Sequence, residues 1–352
     1  MALSTSGAAL ARAARVTHQP LRLRIDADAL KSNWRWLAER AGVPAGAAIK
    51  ADGYGIGARG TLEALLDAGC RDFFVSTWWE VDQLGSLPDG ASLVVLHGPG
   101  PDDAPSGARP VLNSPEQVAR WKAAGGGPCD VMIDTGMNRL GLRASEAGCL
   151  AGLDIDTLHS HLACADEDHA LNDRQLQRFR DAAAAIPARR YSLANSAGIC
   201  IGRDYSFDLV RPGLALYGGI PRAEADGHIQ PVVRIEAQVV QRRRILAGES
   251  CGYGATFVAE RDMDAAVVNL GYADGYFRGF SNLGSARAGD AVLPLLGRVS
   301  MDLLIFGCDG VELGEGDWVE IAYDLPRAAV LSGMSQYELL TGLGDRFERI
   351  WK

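Results

Sequence analysis

One lysine, Lys50, ends a short apolar run in the segment AAIKADGYGIGA (47–58), and glycines follow it at positions 53, 55 and 57. The side-chain amine of a lysine can bond a carbonyl cofactor covalently, and a glycine-rich turn leaves room for a ligand beside it. On this segment alone, an ordinary surface lysine before a flexible turn explains the pattern at least as well. The chemistry of Lys50 therefore depends on the residues that the fold brings to it.

Polar or charged side chains also accompany several later strand-like runs. Most of them follow such a run directly or stand among its last residues, as Lys50 does. They are Asp134, Arg139, His161, Asn195, Ser196, Arg211 and Tyr217. Because the carboxyl ends of parallel strands meet at one edge of an α/β fold, we expect these side chains to gather around Lys50.

The elements that must position these residues alternate between strand-like and helix-like patterns. After a strand-like stretch at 21–26, apolar residues at helical spacing predict a helix that Gly42 ends. Eight further strands are predicted at 47–51, 72–76, 92–98, 110–112, 130–134, 157–163, 190–194 and 214–218. Eight strands alternating with helices over about 200 residues predict an α/β fold with an N-terminal (β/α)8 TIM-like barrel, although an open doubly wound sheet gives a similar rhythm.

The loops after the seventh and eighth barrel strands commonly bind phosphate through main-chain N–H groups. Here ANSAGICIG (194–202) offers a hydroxyl and a helix start built of small residues, and LYGGIP (216–221) offers main-chain amides. A lysine and a phosphate site at one barrel mouth indicate pyridoxal 5'-phosphate, a phosphorylated carbonyl cofactor. A sugar-phosphate enzyme remains an alternative at this point, since such enzymes also combine a lysine with a phosphate pocket.

The pattern changes after about residue 225 to β-branched runs separated by glycine turns. This texture predicts a mostly β C-terminal domain at 226–352, with the barrel at 21–225. The stretch 1–20 is rich in Ala, Ser and Arg and lacks acidic residues, a composition that resembles a transit peptide, but we favour a disordered tail.

Composition restricts the classes of function and partner. The 352 residues include 35 Lys and Arg against 44 Asp and Glu, a net charge of −9, so no nucleic-acid partner is expected. Seven scattered cysteines indicate neither a disulfide framework nor a zinc site and favour a cytoplasmic location. The pair His159 and His161 has no third ligand pattern, so no metal is expected, and no apolar run approaches the roughly 20 residues that a membrane-spanning helix needs.

Eight motifs occur in a defined order: IKADGYG, DTGMNRLG, HLACADE, ANSAG, RPGLALYG, CGYGAT, GYADGY and GRVSMD. Each motif is weak alone, but their succession over roughly 250 residues is specific. In this succession the chain resembles alanine racemases, pyridoxal-phosphate enzymes with a barrel and a β domain, from about Leu21 to its carboxyl end. The resemblance implies an amino-acid racemase that acts as a homodimer with shared active sites.

The resemblance also implies roles for single residues. Lys50 would hold the cofactor covalently, and Tyr253 of the partner subunit would be the second catalytic base. Arg139 and the main-chain amide of Met301, the latter again from the partner subunit, would contact the substrate carboxylate. The residues implied to bind the cofactor are Tyr54 and Ser196 with the main-chain amides of Gly218 and Ile220 at the phosphate, Arg211 at the pyridine nitrogen, and His161 beside the ring.

Chemical reasoning agrees with the assignment of Lys50 and Tyr253 as the two catalytic bases. Racemisation removes the Cα proton from one face and returns it on the other, so Lys50 and Tyr253 could each serve one face of a flat cofactor. Ordinary lysine and tyrosine side chains have pKa values of about 10.4 and 10, so both need nearby positive charge, which Arg211 and Arg139 can supply. An arginine at the pyridine nitrogen keeps its proton, which makes the ring a weaker electron sink and favours prompt reprotonation at Cα over transamination.

Several positions depart from the family pattern. Gly53 and Ile56 replace an alanine and a histidine in the run after the lysine, which predicts a looser and less polar phosphate loop. Met132 stands where many members carry a lysine that orients the following arginine, so Arg139 must be held in another way. A tyrosine that touches the phosphate in some members corresponds to Asp345 or a neighbour.

The resulting hypothesis is the interconversion of L-alanine and D-alanine, which would supply D-alanine for cell-wall synthesis. A racemase for another amino acid, such as serine or lysine, is the alternative, because few side chains set the size of the pocket. His159, two residues before His161 on the same strand face, is a rival for the place beside the cofactor.

Overall fold

The computed structural model describes residues 19–103 and 105–352. All but the last two residues of the predicted tail therefore lie outside the described residues. The strand predicted at 21–26 is present as β1 (Leu21–Ile25), and the helix that follows, α1 (Ala27–Ala41), ends at Gly42 in the left-handed conformation with φ 71°.

A seven-stranded parallel sheet forms the wall of the N-terminal barrel, with its strands paired in chain order. Each strand is short, and most of its residues are buried, except in β8, where Ser192 alone is. The strands are β2 (Ala47–Ala48), β3 (Asp72–Val75), β4 (Ser92–Val95), β5 (Arg109–Leu112), β6 (Pro128–Met132), β7 (Asp154–His159) and β8 (Arg190–Ser192).

The eighth strand prediction, at 214–218, is wrong, because Leu214–Tyr217 is a 3-10 helix. The segment 208–212 takes the eighth place instead. On one side its main chain accepts hydrogen bonds from β2 and the residue before it, Gly46 N to Val210 O and Ala48 N to Pro212 O, both at 2.9 Å. On the other side it bonds the residues that follow β8, Arg211 N to Ala194 O at 2.9 Å. These bonds close the sheet into the predicted barrel rather than an open doubly wound sheet.

Helices follow most barrel strands, and their starts carry recognisable caps. Ser114 accepts the Gln117 N–H at the start of α5, with Pro115 in the first turn, and Thr77 and Glu80 form a capping box at the start of α4. The helices between the strands are α2 (Lys50–Tyr54), α3 (Ala58–Ala68), α4 (Trp78–Leu84), α5 (Pro115–Ala123), α6 (Ala170–Ala185) and α7 (Ser196–Ile201).

The barrel interior contains an apolar layer, formed by side chains from β3 to β6 and from 208–212, and a charged network nearest the amino ends of the strands. There Arg190 bonds both oxygens of Asp72 at 3.0 Å and Asp156 at 2.8 Å. The apolar layer consists of Phe74, Val94, Val111, Met132 and Leu209. Ion pairs occupy the barrel at the amino ends of its strands. The open end of the barrel is therefore at the carboxyl ends of the strands.

The C-terminal part is mostly β, as predicted, around the long strand β9 (Val233–Ile245). The strand β9 pairs with β1, β12 and β16, so β1 lies outside the barrel sheet although the predicted first domain begins with it. The remaining strands are β10 (Ser250–Cys251), β11 (Phe257–Val258), β12 (Met263–Val268), β13 (Ser285–Ala288), β14 (Ala291–Pro294), β15 (Leu304–Gly307), β16 (Trp318–Ile321) and β17 (Glu348–Trp351), and two helices, α8 (Leu325–Ser332) and α9 (Gln336–Thr341), precede β17.

Candidate active site

A cavity of about 600 Å³ opens at the carboxyl ends of the barrel strands. It is lined by residues from nearly every wall segment, as expected for the active-site face of a barrel. Among the residues that the sequence analysis expected here, those that line it are Lys50, Tyr54, Asp134, Arg139, His161, Asn195, Ser196 and Arg211, whereas Tyr217 does not. The structure therefore brings eight of the predicted side chains into one concave site.

Lys50 reaches the cavity from an unusual turn. The strand β2 ends at Ala48, Ile49 is fully buried, and Lys50 begins the five-residue element α2. The next residues, Ala51, Asp52, Gly53 and Tyr54, all have φ between 51° and 61°. A left-handed conformation costs a non-glycine residue roughly 1–2 kcal/mol, so the rest of the fold must hold this turn in place.

Hydrogen bonds to side chains fix the turn. Glu80 Oε1 accepts the Ala51 N–H at 2.6 Å, and Asp52 Oδ1 accepts the Ala58 N–H at 2.8 Å. Gly53 has little free space, since a Cβ there would lie 2.8 Å from Thr61 Oγ1. The lysine is thus carried on a closely packed turn, in contrast to the looser loop that the sequence suggested.

The environment of Lys50 favours its neutral amine. Burial lowers the pKa of the amine, the positive charge of Arg139 lowers it further, and Glu80 opposes the change in part. A neutral amine is the form of lysine that attacks a carbonyl or accepts a proton. This combination of position and lowered pKa separates Lys50 from an ordinary surface lysine.

A cradle of main-chain N–H groups faces the cavity beside Ser196. The Ser196 hydroxyl accepts the N–H of Gly213 at 2.9 Å and of Ala215 at 3.2 Å. The N–H of Leu214, at the start of the 3-10 helix, donates no hydrogen bond within the described part of the chain. Such an arrangement of amides suits an anion such as a phosphate group.

The Tyr54 hydroxyl closes this cradle on its other side. A Cβ built on Gly213 would lie 2.3 Å from the Tyr54 oxygen, so only glycine permits this approach. The Tyr54 ring stacks on Tyr217 with centroids 4.6 Å apart, and the Tyr217 hydroxyl donates to Ala48 O at 2.8 Å. These contacts hold the Tyr54 hydroxyl at the entrance of the amide cradle.

Gly218 and Ile220 lie away from the cavity, in contrast to the sequence expectation. The Ile220 N–H donates to Gln336 Oε1 at 2.8 Å, and the Gly218 N–H turns back to Ala215 O. The physical reason is the 3-10 helix at Leu214–Tyr217, whose start and not its end faces the cavity. Gly213 and Leu214 line the cavity in place of Gly218 and Ile220, and among 213–215 the Leu214 N–H is the one that Ser196 does not accept.

Replacing the hydroxyl of Ser196 tests the cradle. Ser196→Ala removes a hydroxyl that accepts two main-chain N–H groups and can donate its own proton to a phosphate, so we expect it to weaken pyridoxal-phosphate binding about tenfold. Absorbance titration of the cofactor-free protein measures this. Ser206→Ala is the control, because the buried Ser206 hydroxyl has no hydrogen-bond partner among the residues that the structure describes. Unchanged affinity in Ser196→Ala would remove this hydroxyl from the cradle.

Arg211 forms part of the cavity floor. Its Nη1 donates to Ser192 Oγ and its Nη2 to Ser160 O, at 2.6 Å in the second case, while Nε has no partner within the residues described. Burial lowers the pKa of Arg211 to about 10, and the Asp130 carboxylate opposes this change. The guanidinium stays charged at neutral pH, and its Nε N–H is among those left for a ligand.

His161 and not His159 lines the cavity. Burial lowers the pKa of His161 to about 3, with further contributions from Arg211, Arg139 and Lys50. The ring is therefore neutral and can contact a cofactor without adding charge. His159 is completely buried below it, with Nε2 2.8 Å from Asp130 Oδ2.

Arg139 lies in a turn that the main chain stabilises. Asp134 Oδ1 accepts the N–H groups of Gly136, Met137 and Asn138 at 2.8–3.1 Å. Met132 is buried at the cavity wall, and the Arg139 guanidinium forms no ion pair within the described ranges. Asp134 thus shapes the segment, while the guanidinium remains available to a carboxylate ligand.

Tyr253 and Met301 do not line the cavity of their own chain. Their side chains are 68% and 52% exposed on the C-terminal part. The Tyr253 turn packs against Arg298, and Asp302, next to Met301, accepts Arg346 Nη1 at 2.8 Å. Both residues therefore sit on supported loops at the surface.

Sequence reasoning missed Tyr337, which the helix α9 brings to the cavity. Its ring lies 6.2 Å from that of Tyr54. Asp345, where a phosphate-contacting tyrosine was sought, is exposed and does not line the cavity. The only available signal was a tyrosine within the short amphipathic stretch MSQYELLTGLG, eight residues before Asp345.

Comparisons with known proteins identify the family. The N-terminal domain of alanine racemase matches residues 25–221, and the C-terminal domain matches residues 232–351. The chain belongs to the alanine racemase family. It is therefore an amino-acid racemase, an isomerase.

Individual relatives cover nearly the whole chain. The alanine racemase of Dinoroseobacter shibae is 43% identical over 93% of this chain and 97% of its own length, and that of Methylobacterium nodulans is 40% identical over 93% and 95%. A structure of alanine racemase from Bartonella henselae with covalently bound pyridoxal phosphate superposes with a TM-score of 0.87 at 35% identity, covering 95% of this chain and all of that one. No helix among the described residues of this alanine racemase family member could span a membrane.

Proposed function

We propose that this chain interconverts L-alanine and D-alanine with pyridoxal 5'-phosphate held at Lys50. The observation that carries the proposal is the placement of Lys50. Its amine, with a lowered pKa, lies in one cavity with an anion cradle and with Arg211 on the floor. A relative with covalently bound pyridoxal phosphate supports the same cofactor here.

The residues present fit that cofactor. The N–H of Leu214 and the hydroxyls of Ser196 and Tyr54 would hold the phosphate, and the free Nε of Arg211 would face the pyridine nitrogen. When bound, pyridoxal phosphate draws electrons from the substrate Cα and so acidifies its proton. An arginine that stays protonated limits this electron withdrawal, which favours return of the proton to Cα.

Two residues of the protein would move the proton. The neutral Lys50 amine would remove it from one face of Cα, or return it there. Tyr253 of the partner subunit would do the same on the opposite face, since two opposed groups are what inversion at a planar carbon requires. Arg139 would hold the substrate carboxylate by a charge-assisted hydrogen bond, together with the main-chain N–H of Met301 of the partner subunit.

A homodimer with shared active sites follows from this division. Within one chain the cavity has Lys50 but not Tyr253 or Met301, whose side chains are exposed. A C2 dimer can bring these exposed residues to the open cavity of its partner twice, once for each site. We also infer a cytoplasmic enzyme whose D-alanine serves cell-wall synthesis.

The first experiment is a circular dichroism time course of L-alanine with the purified protein and pyridoxal phosphate, beside L-serine, L-lysine and L-arginine. We expect the L-alanine signal to decay to zero and the other three to change little. Decay for another amino acid instead would move the protein to a different racemase activity. No decay with any of the four would contradict the proposed reaction.

A further inference from the structure

A line of polar side chains crosses the barrel interior below the cavity, one from each of five consecutive wall segments. The charged end begins with Arg109 on β5, whose Nε lies 2.6 Å from Asp130 Oδ1 on β6. Asp130 Oδ2 then lies 2.8 Å from His159 Nε2 on β7. On the far side, Ser192 on β8, the register partner of His159, accepts Arg211 Nη1. The proposed function uses only Arg211 of this line.

Among the described residues, two buried atoms of this line lack a hydrogen-bond partner: Arg109 Nη2, which still forms an ion pair with Asp156 at 3.2 Å, and a ring nitrogen of His159. The His159 ring nitrogen Nδ1 is buried and has no hydrogen-bond partner within residues 19–103 and 105–352. Because the Asp130 carboxylate is an acceptor, Nε2 carries the ring proton and Nδ1 keeps its lone pair. Burial and Arg211 both lower the pKa of His159, although Asp130 opposes them, so the ring is neutral.

The neutral ring separates two groups that attract each other. Asp130 and His159 are fully buried, and Arg211 is only 7% exposed, so little water screens the attraction between carboxylate and guanidinium. Asp130 already pairs directly with Arg109, and a direct pair with Arg211 would add a second charge-assisted contact of the same kind. His159 on β7 and Ser192 on β8 occupy the two strands between them, and the His159 ring lies edge-on against Phe74 with centroids 6.0 Å apart.

We propose that His159 is a positioning residue for Arg211. Its neutral ring, bonded to Asp130, lets the Asp130 carboxylate stabilise the charge of Arg211 from a distance. The ring also prevents a direct pair of Asp130 with Arg211, which would draw the guanidinium away from Ser192 and Ser160. Arg211 thereby stays at the cavity floor with Nε free. The inference rests on the proposed function only in that Arg211 faces the cofactor ring.

The first test needs no cofactor. A crystal structure of cofactor-free His159→Ala is expected to show the Arg211 guanidinium moved into hydrogen-bond distance of Asp130. His159→Asn leaves a smaller gap and serves if the alanine variant does not fold. An Arg211 that keeps its bonds to Ser192 and Ser160 in the folded variant would overturn the proposal.

The second test is a double-mutant cycle read by pyridoxal-phosphate affinity. His159→Ala is expected to weaken binding about tenfold, whereas His159→Gln, which can still donate to Asp130, stays within about twofold of wild type. In the Asp130→Asn background, where no carboxylate attracts Arg211, removal of His159 should change affinity less than about twofold. An equal tenfold loss in both backgrounds would show a structural role alone and overturn the proposal.

A control separates folding from positioning. Phe179→Leu removes core volume on α6, where the ring packs against Phe207 at 4.8 Å, and is expected to lower the free energy of unfolding without changing cofactor affinity. Failure of wild type to bind pyridoxal phosphate would contradict the proposed function. If wild type and His159→Ala both bind pyridoxal phosphate with the same affinity, the positioning role of His159 is contradicted.

Discussion

Lys50→Ala is expected to abolish both the absorbance band of covalently bound pyridoxal phosphate and racemisation. Loss of the amine removes the covalent attachment and one of the two proposed proton carriers, so turnover should fall by at least about 10⁴-fold. Absorbance spectra of the dialysed variant and the circular dichroism assay measure the two effects. The phosphate cradle remains in this variant, so weak noncovalent binding of the cofactor is expected to persist.

The chain makes this experiment decisive because it has only four lysines. Lys31 pairs with Asp67 and Lys122 bonds the main-chain oxygens of Cys149 and Ala151, and neither lines the cavity. Lys31→Ala is therefore the matched control and should keep both the band and the activity. Borohydride reduction of wild type followed by peptide mapping should label Lys50 alone. A normal band in Lys50→Ala would show that another lysine holds the cofactor.

The sequence predicted the barrel well because its strands are short apolar runs between clear helix signals. It failed at LALYG (214–218), since periodicity cannot tell a buried strand from a buried helical turn in five apolar residues. With a strand expected to end at 218, the amide cradle was placed at Gly218 and Ile220, whereas the 3-10 helix turns Gly213 and Leu214 to the cavity. The roles of the predicted side chains in binding stay predictions.

The strand β1 shows a signal that was present but not used. Its pattern buries Leu21, Leu23 and Ile25 and leaves Arg22 and Arg24 partly exposed. Such alternation is typical of a strand with one solvent-facing side, whereas barrel strands are buried on both sides. The pairing of β1 with β9 and β17 agrees with that alternation. The division of the chain at residue 225 stays a prediction.

Long-range contacts account for the residues that sequence reasoning could not place. Tyr337 reaches the cavity because α9, more than 280 residues after Lys50, packs beside α2. The bond between Gln336 and Ile220 ties the same helix to the barrel. No local pattern encodes such packing, so tertiary structure was needed to find it.

Tyr253→Phe is expected to keep the cofactor band and lose most racemisation. Removal of one hydroxyl deletes the proposed proton carrier on a single face, so kcat should fall about 10³-fold. Exchange of the Cα proton with solvent should slow much more for one enantiomer than for the other, because Lys50 still serves its own face. Mild, equal slowing of both enantiomers would remove Tyr253 from catalysis. Tyr337→Phe is the matched control, because it removes the hydroxyl of a different tyrosine, one that lines the cavity.

Mixing the two inactive variants tests the shared site directly. Coexpressed Lys50→Ala and Tyr253→Phe chains should regain activity, because a mixed dimer pairs the intact Lys50 of one chain with the intact Tyr253 of the other. About half of randomly formed dimers are mixed and each has one complete site, so about a quarter of wild-type specific activity is expected. Each variant alone stays inactive in the same assay. If both residues acted within one chain, every site in every dimer would lack one of them, and the mixture would remain as inactive as its parents.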